Sequence, residues 1–324
     1  MLVRLCVAGL IAVTLVVVGP AAGASARPGY VRLLAGHLVY ATPSPGAHKQ
    51  AFLPASDPYG QPDVVWISGV KLIRRVGWMH VHLANGIGWI LAASTARASQ
   101  PHRGLAIELG RLISSVGGRS GAVVAAADGV PLYETNKDTP DVLASNTKLF
   151  TAAVGLHVFG PAIAPLLERM LPPSDNVLAQ NLSDRVGGGS SARGAYLAQH
   201  YALALGAIVH LVDGSGLDLG NQASPLQMVR FLLALRGQSN FELLRRALPV
   251  AGRSGNLSAR MRGSPAAGHC AAKPGTLQGV STLSGYCTTR QQGVVVFSIL
   301  MNNVDVFSAQ AAQDQIAGAI VTGR

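Results

Sequence analysis

The chain has 324 residues, 49% of them apolar and only 13% charged, with a net charge of +11. That apolar share supplies a full core and excludes an intrinsically disordered chain, and the length allows two domains. Basic residues are not interleaved with aromatics, which excludes a nucleic-acid binder; the positive charge reads either as attraction to anionic cell-wall polymers or as plain arginine-rich composition.

Residues 1–26 read as a secretory leader. Arg4 precedes an apolar run from Leu5 to Val18, shorter than a bilayer requires, and Ala22-Gly23-Ala24 and Ala24-Ser25-Ala26 offer small-residue cleavage sites. An uncleaved anchor is the competing reading. Cys6 lies at the start of the run, so no lipid-attachment pattern is present. No later segment is expected to span a membrane. The remainder is therefore predicted to be secreted or extracytoplasmic and wall-associated.

Residues 30–96 hold all three tryptophans in short strand-like runs: Leu38-Val39-Tyr40, Val64-Val65-Trp66-Ile67, Trp78 to Leu83 and Gly88-Trp89-Ile90. Turn signals separate them, and Asn85-Gly86 between two alternating runs predicts a hairpin. The stretch from Gly77 to Ile90 resembles one hairpin of bacterial SH3-type domains, which implies a small all-β barrel that holds an enzyme against peptidoglycan. His80 and His82 share a strand face and are read as surface residues, since no third metal ligand accompanies them. Residues 97–104 read as a polar linker.

From about Leu105 onward the pattern is α/β. A helix leads into a hairpin around Asp128-Gly129. Helices follow from Ser145 to about Ala247, interrupted by a strand near Ala207–Val212. Strands return over 269–303, and a helix near Ser308–Val321 closes the chain. Strands at both ends with helices between predict a sheet that unites the two termini.

Lysine is scarce: Lys49, Lys71, Lys137, Lys148 and Lys273 are the five, and arginine supplies the other positive side chains. Arginine stays charged in proteins, whereas a buried lysine can become a neutral base. Two of the five lie in three ordered motifs: Ser145-Asn146-Thr147-Lys148, Ser174-Asp175-Asn176 and Lys273-Pro274-Gly275-Thr276. Residues i and i+3 of a helix share a face, so Lys148 can reach the Ser145 hydroxyl. The apolar run from Leu149 to Leu156 would bury the pair and lower the lysine's pKa. Ser145 at a helix start would meet free N–H groups that favour developing negative charge. Ser174 can pass a proton to a leaving amine, and Asn176 can hold Lys148 and a substrate amide. Ser174 and Asp175 also suit a helix cap after Pro172-Pro173. The set is similar to the Ser-x-x-Lys, Ser-Asp-Asn and Lys-Thr-Gly motifs of penicillin-interacting enzymes, the third only approximately.

A two-residue turn at Gln278-Gly279 pairs Leu277 with Val280 and, counting outward, sets Cys270 opposite Cys287 at a non-hydrogen-bonded position, within disulfide range. In an exported protein whose Cys6 leaves with the leader, this predicts a Cys270–Cys287 bridge. The same register turns the Pro274 nitrogen and the Thr276 N–H toward the open edge, where proline is tolerated and Thr276 can join Ser145 as an oxyanion hole. Lys273 would supply positive charge for a substrate carboxylate, with Gly275 between the two.

From Leu105 to the C-terminus the chain resembles the class C penicillin-binding proteins, the D-Ala-D-Ala carboxypeptidase/endopeptidase family. Beyond the three motifs, the resemblance rests on Asp213-Gly214-Ser215-Gly216-Leu217, Leu248-Pro249-Val250-Ala251-Gly252, and Ala272-Lys273 through Leu277 followed by Leu283-Ser284-Gly285-Tyr286. It implies a serine β-lactamase/DD-peptidase fold over 105–324, acylation of Ser145 by the D-Ala-D-Ala end of a muropeptide, and covalent capture by β-lactams; the residues themselves support no metal site, and no cofactor is expected. Two departures stand out. Only residues 146–173 separate Ser145 from Ser174, where the family carries inserted domains, and Pro274 replaces a hydroxyl residue that helps bind the substrate carboxylate. Rival readings are a catalytically impaired homologue acting as a peptidoglycan-binding module, an esterase or β-lactamase-like hydrolase, and a triad of Asp213, Ser215 and His210.

Overall fold

A computed structural model describes residues 29–33, 37–44, 46–53, 64–73, 76–83, 86–91, 95–98, 103–290 and 292–323. The predicted leader, 1–26, lies outside the described residues.

The N-terminal strands are Gly29–Leu33 (β1), His37–Tyr40 (β2), Lys49–Leu53 (β3), Val64–Ile73 (β4), Val76–Leu83 (β5), Gly86–Leu91 (β6) and Thr95–Ala98 (β7). They form one antiparallel sheet in the order β3-β2-β6-β5-β4-β1-β7. Val39, Trp78, Val81 and Ile90 are buried, and Tyr40 meets the Trp78 ring edge-on at 5.4 Å. The hairpin expected around Asn85-Gly86 is present one residue out of place: Leu83 pairs with Gly86, so Gly86 already belongs to β6. Each cross-strand partner is thereby shifted by two residues, which leaves the faces unchanged, and Val81 and Ile90 still share one. His80 bonds Ser68 at 2.6 Å and packs on Trp89, and the side chain of His82 lies outside the described residues. The linker expected over 97–104 is shortened, because Arg97 and Ala98 are laddered to β1.

The remaining elements are Arg103–Ser114 (α1), Arg119–Ala126 (β8), Pro131–Thr135 (β9), Asp141–Val142 (β10), Thr147–Phe159 (α2), Ala164–Met170 (α3), Asn176–Val186 (α4), Ser191–Ala204 (α5), Gln222–Ala223 (β11), Pro225–Leu235 (α6), Phe241–Ala247 (α7), Cys270–Leu277 (β12), Val280–Thr289 (β13), Gly293–Asn302 (β14) and Val306–Thr322 (α8). The main sheet is antiparallel in the order β12-β13-β14-β8-β9. Strands from the two ends of this region therefore meet at β14 and β8, as the α/β reading expects. One face packs on α1 and α8 and the other on the helical cluster containing α2 and α4–α7, which gives two apolar cores. β13 is buried on both faces, which suits its small and apolar sequence.

α2 is apolar on every side and its residues Thr147–Leu156 are all buried, the pattern of a core helix. The stretch Ala144–Met170 has the length and hydropathy of a membrane span, contrary to the expectation that no later segment would reach it. The sheet-packed position of Leu149, Phe150 and Val154 accounts for that hydropathy. The strand expected near Ala207–Val212 is reduced to one bridge, His210 to Gln222. Burial alternates there as in a strand, but side-chain amides replace the partner. Ile208 N–H donates to Gln227 Oε1 at 2.8 Å, Leu211 N–H to Gln199 Oε1 at 3.1 Å and Val212 N–H to Asn221 Oδ1 at 2.9 Å.

Candidate active site

Ser145 lies in a 3-10 turn, Ala144–Asn146, that runs straight into α2. Ala144 holds a left-handed φ of +47°, a strained position for a residue with a side chain. The turn is gripped from two sides. Gly216, at φ +87°, lays its backbone against the Ala144 carbonyl, where a Cβ would not fit. Gly275 of β12 faces it, and a Cβ there would stand 2.9 Å from the Ser145 nitrogen and 3.0 Å from the Leu143 oxygen.

Lys148 comes one turn after Ser145 and is fully buried. Its Nζ donates to Ser145 Oγ at 3.1 Å, to Asn176 Oδ1 at 2.7 Å and to the Ser215 carbonyl at 2.5 Å. Two of these partners only accept, whereas the hydroxyl can also donate. A neutral Lys148 therefore keeps both carbonyl contacts and turns its lone pair to the Ser145 proton. Burial pushes the Lys148 pKa down to about 8, against the opposing pull of the Asp213 and Asp175 charges.

The second motif sits at the start of α4. Asp175 caps that helix, its carboxylate accepting from Leu178 N–H at 2.8 Å, which leaves Asn176 as the first helical residue, facing Lys148. Ser174 adopts a φ of +62°. Lys273 Nζ donates to Ser174 Oγ at 2.8 Å and to the Pro274 carbonyl at 2.8 Å. With its oxygen taken as acceptor, the Ser174 hydroxyl has its own proton free to donate. Lys273 is fully buried. Lys273 thereby joins the third motif to the second. Burial, and then the nearby Lys148 charge, hold the Lys273 pKa well below the ordinary lysine value.

β12 and β13 pair in the expected register, Leu277 with Val280 through Cys270 with Cys287. The two cysteines are bonded, with Cα atoms 4.0 Å apart. β12 is the sheet edge. Outward-facing groups alternate along it: Ala272 N–H donates to the Pro249 carbonyl at 3.0 Å, Pro274 has no N–H, and Thr276 follows in phase at the exposed end.

Three contributors were not assigned a role from sequence. Asn146 is buried and its Nδ2 donates to the Lys273 carbonyl at 3.0 Å and to Thr282 Oγ1 at 2.7 Å, while Thr282 donates to the Leu143 carbonyl at 3.0 Å. These bonds stitch the Ser145 turn to β12 and β13. The third is the loop Asp213–Leu217. Asp213 accepts from the N–H groups of Ser215, Gly216 and Asp218 at 2.9, 2.6 and 2.9 Å, and so aims the Ser215 carbonyl at Lys148. The Asp-Gly-Ser-Gly string signals such a turn. That arrangement removes the triad reading: Asp213 is spent on backbone N–H groups and Asn221, and His210 Nδ1 bonds the Gly220 carbonyl at 2.8 Å.

The model of the D-Ala-D-Ala carboxypeptidase 3 (S13) family matches residues 161–322, half of the chain, and so covers the second and third motifs. Carboxypeptidase DacB of Mycolicibacterium smegmatis is 33% identical over 174 residues, 48% of this chain and 38% of that protein. The D-alanyl-D-alanine carboxypeptidase of Actinomadura sp. is 40% identical over 112 residues, 33% of this chain and 21% of that protein. The chain thus spans well under half the length of these relatives. A class A β-lactamase structure from Bacteroides cellulosilyticus superposes with a TM-score of 0.56 over 70% of this chain and 99% of that one, at 15% identity, which shows the shared fold alone. By motif order, fold and family match, the chain belongs to the D-Ala-D-Ala carboxypeptidase 3 (S13) family.

Proposed function

We propose that the protein is an exported serine D-Ala-D-Ala carboxypeptidase/endopeptidase acting on peptidoglycan stem peptides through an acyl-enzyme on Ser145, and that β-lactams acylate the same residue. The observation that carries this reading is the buried Lys148, whose amine faces the Ser145 hydroxyl with a pKa of about 8. Lys148 takes the Ser145 proton as Oγ attacks the penultimate D-Ala carbonyl. The N–H groups of Ser145 and Thr276 receive the oxyanion. Ser174, held by Lys273, delivers a proton to the departing amine, and Asn176 steadies Lys148 and the substrate amide. Water, activated by the same lysine, then releases the acyl group. Residues 30–96 would act as an SH3-like module that keeps the enzyme on the wall, with the positive net charge favouring anionic wall polymers.

The test is release of D-alanine from a peptide ending in D-Ala-D-Ala. The reading expects release by the purified protein and none by Ser145→Ala. The impaired-homologue reading draws on Pro274 and on the short stretch between Ser145 and Ser174, where the family carries inserted domains. It expects penicillin labelling of Ser145 without D-alanine release, and Pro274→Thr would then restore turnover.

A further inference from the structure

We infer that the protein carries a second binding site, for a small organic anion, in a crevice where the ends of α6 and α7 face the start of β12. The crevice has a volume of about 380 Å³, within the usual range for ligand pockets. Its back wall is apolar: Val250 and Val294 line it, and the rings of Phe241 and Tyr286 meet edge-on at 5.2 Å. The Tyr286 hydroxyl is spent on the Leu232 carbonyl at 2.9 Å, so the tyrosine offers its ring.

The mouth is cationic. Arg236 is half-buried and its Nη1 donates to a neutral group, the Ala127 carbonyl, at 2.9 Å; no carboxylate pairs with it among the described residues. Arg245 is paired with Glu242, the one acidic lining residue. His269 stands exposed at the lip, and the Arg253 guanidinium lies over Gly268, another lining residue. Two arginines and a histidine thus line the crevice against one carboxylate and an apolar wall. A guanidinium fork matches carboxylate or phosphate oxygens, and an isolated charge in a half-enclosed site gains most from an anionic partner. The ligand class is therefore a carboxylate or phosphate carried on an aromatic or branched apolar body.

This site is distinct from the catalytic cleft. Val250 bridges to Ala271 and the Pro249 carbonyl takes the Ala272 N–H, so the segment 249–251 closes the strand edge between the crevice and Lys273.

The experiment uses full-length Ser145→Ala protein, so that its outcome does not depend on turnover. Phenyl phosphate, phenylacetate and inorganic phosphate are titrated by calorimetry, and the aromatic ligands are followed by NMR at His269. Saturable one-site binding of at least one aromatic anion is expected, weakened about tenfold or more in Arg236→Gln, as for loss of a charge-assisted bond. Preference for phenyl phosphate would assign a phosphate ester as the natural ligand, and preference for phenylacetate a carboxylate. Arg236 also anchors a backbone carbonyl, so His269→Ala, at an exposed lining residue, serves as a second variant and is expected to weaken binding. Binding that does not saturate, that favours inorganic phosphate, or that is equal in all variants would overturn the site.

Discussion

Lys148 concentrates the chemistry in one nitrogen. Buried and held by two carbonyl groups, it is reactive only when neutral, so acylation of Ser145 should rise with pH through a midpoint of about 8 and then level off. A pH–rate profile of penicillin acylation checks this. Lys148→Arg retains charge and length but cannot give up its proton, and the acylation rate should fall by about 10²–10⁴-fold. The same burial has a consequence for stability. The folded pKa lies below the ordinary 10.5, so the unfolded chain holds the proton more tightly. The contribution of Lys148 should therefore be unfavourable and constant below about pH 8, and should become less unfavourable as pH rises from about 8 toward 10.5. Urea midpoints of a Lys148→Met variant and its parent across that window should converge as pH rises.

At the scale of elements, the site depends on how the Ser145 turn meets β12 and β13. Asn146 and Thr282 form that joint, and neither touches the nucleophile's oxygen in the bonds described. Asn146→Ala and Thr282→Val should each slow acylation while leaving the pH midpoint near 8, because they act on position and not on the base. A double-mutant cycle should show a coupling of about 1 kcal/mol in stability. The disulfide closes a separation of 17 residues in the same hairpin, and replacing both cysteines with alanine should cost about 3 kcal/mol in a denaturant titration. How legible these features were in sequence depends on how local they are. The β12–β13 register followed from a turn at Gly279, which adopts φ +68°, and from the cysteine spacing. The Ser145–Lys148 contact followed from helical spacing. Asn146 was not legible, because its partners lie more than a hundred residues away. The strand expected at Ala207–Val212 failed because glutamine and asparagine side chains, indistinguishable in sequence from surface residues, satisfy its backbone. The Lys273–Ser174 contact was not legible either, because it joins two motifs 99 residues apart.

At the scale of the molecule, two sets of described strands serve two proposed tasks. A chain beginning at Arg103, the first residue of α1, should keep penicillin acylation and lose co-sedimentation with purified wall sacculi; retention of sedimentation would remove the wall-holding role from residues 30–96. The helical run between the first two motifs is short, passing from α2 through a 3-10 turn and α3 to Ser174, so Lys148, Asn176 and Ser174 meet without an inserted domain. The central claim is that Ser145, activated by Lys148, is a nucleophile competent in this short chain. Its most direct measurement is intact-mass and gel analysis of the purified protein after incubation with a fluorescent penicillin, beside Ser145→Ala. The account predicts one covalent adduct in the wild type, mapped to Ser145, and none in the variant. A folded wild type that acquires no adduct, or an adduct that persists in Ser145→Ala, would contradict it.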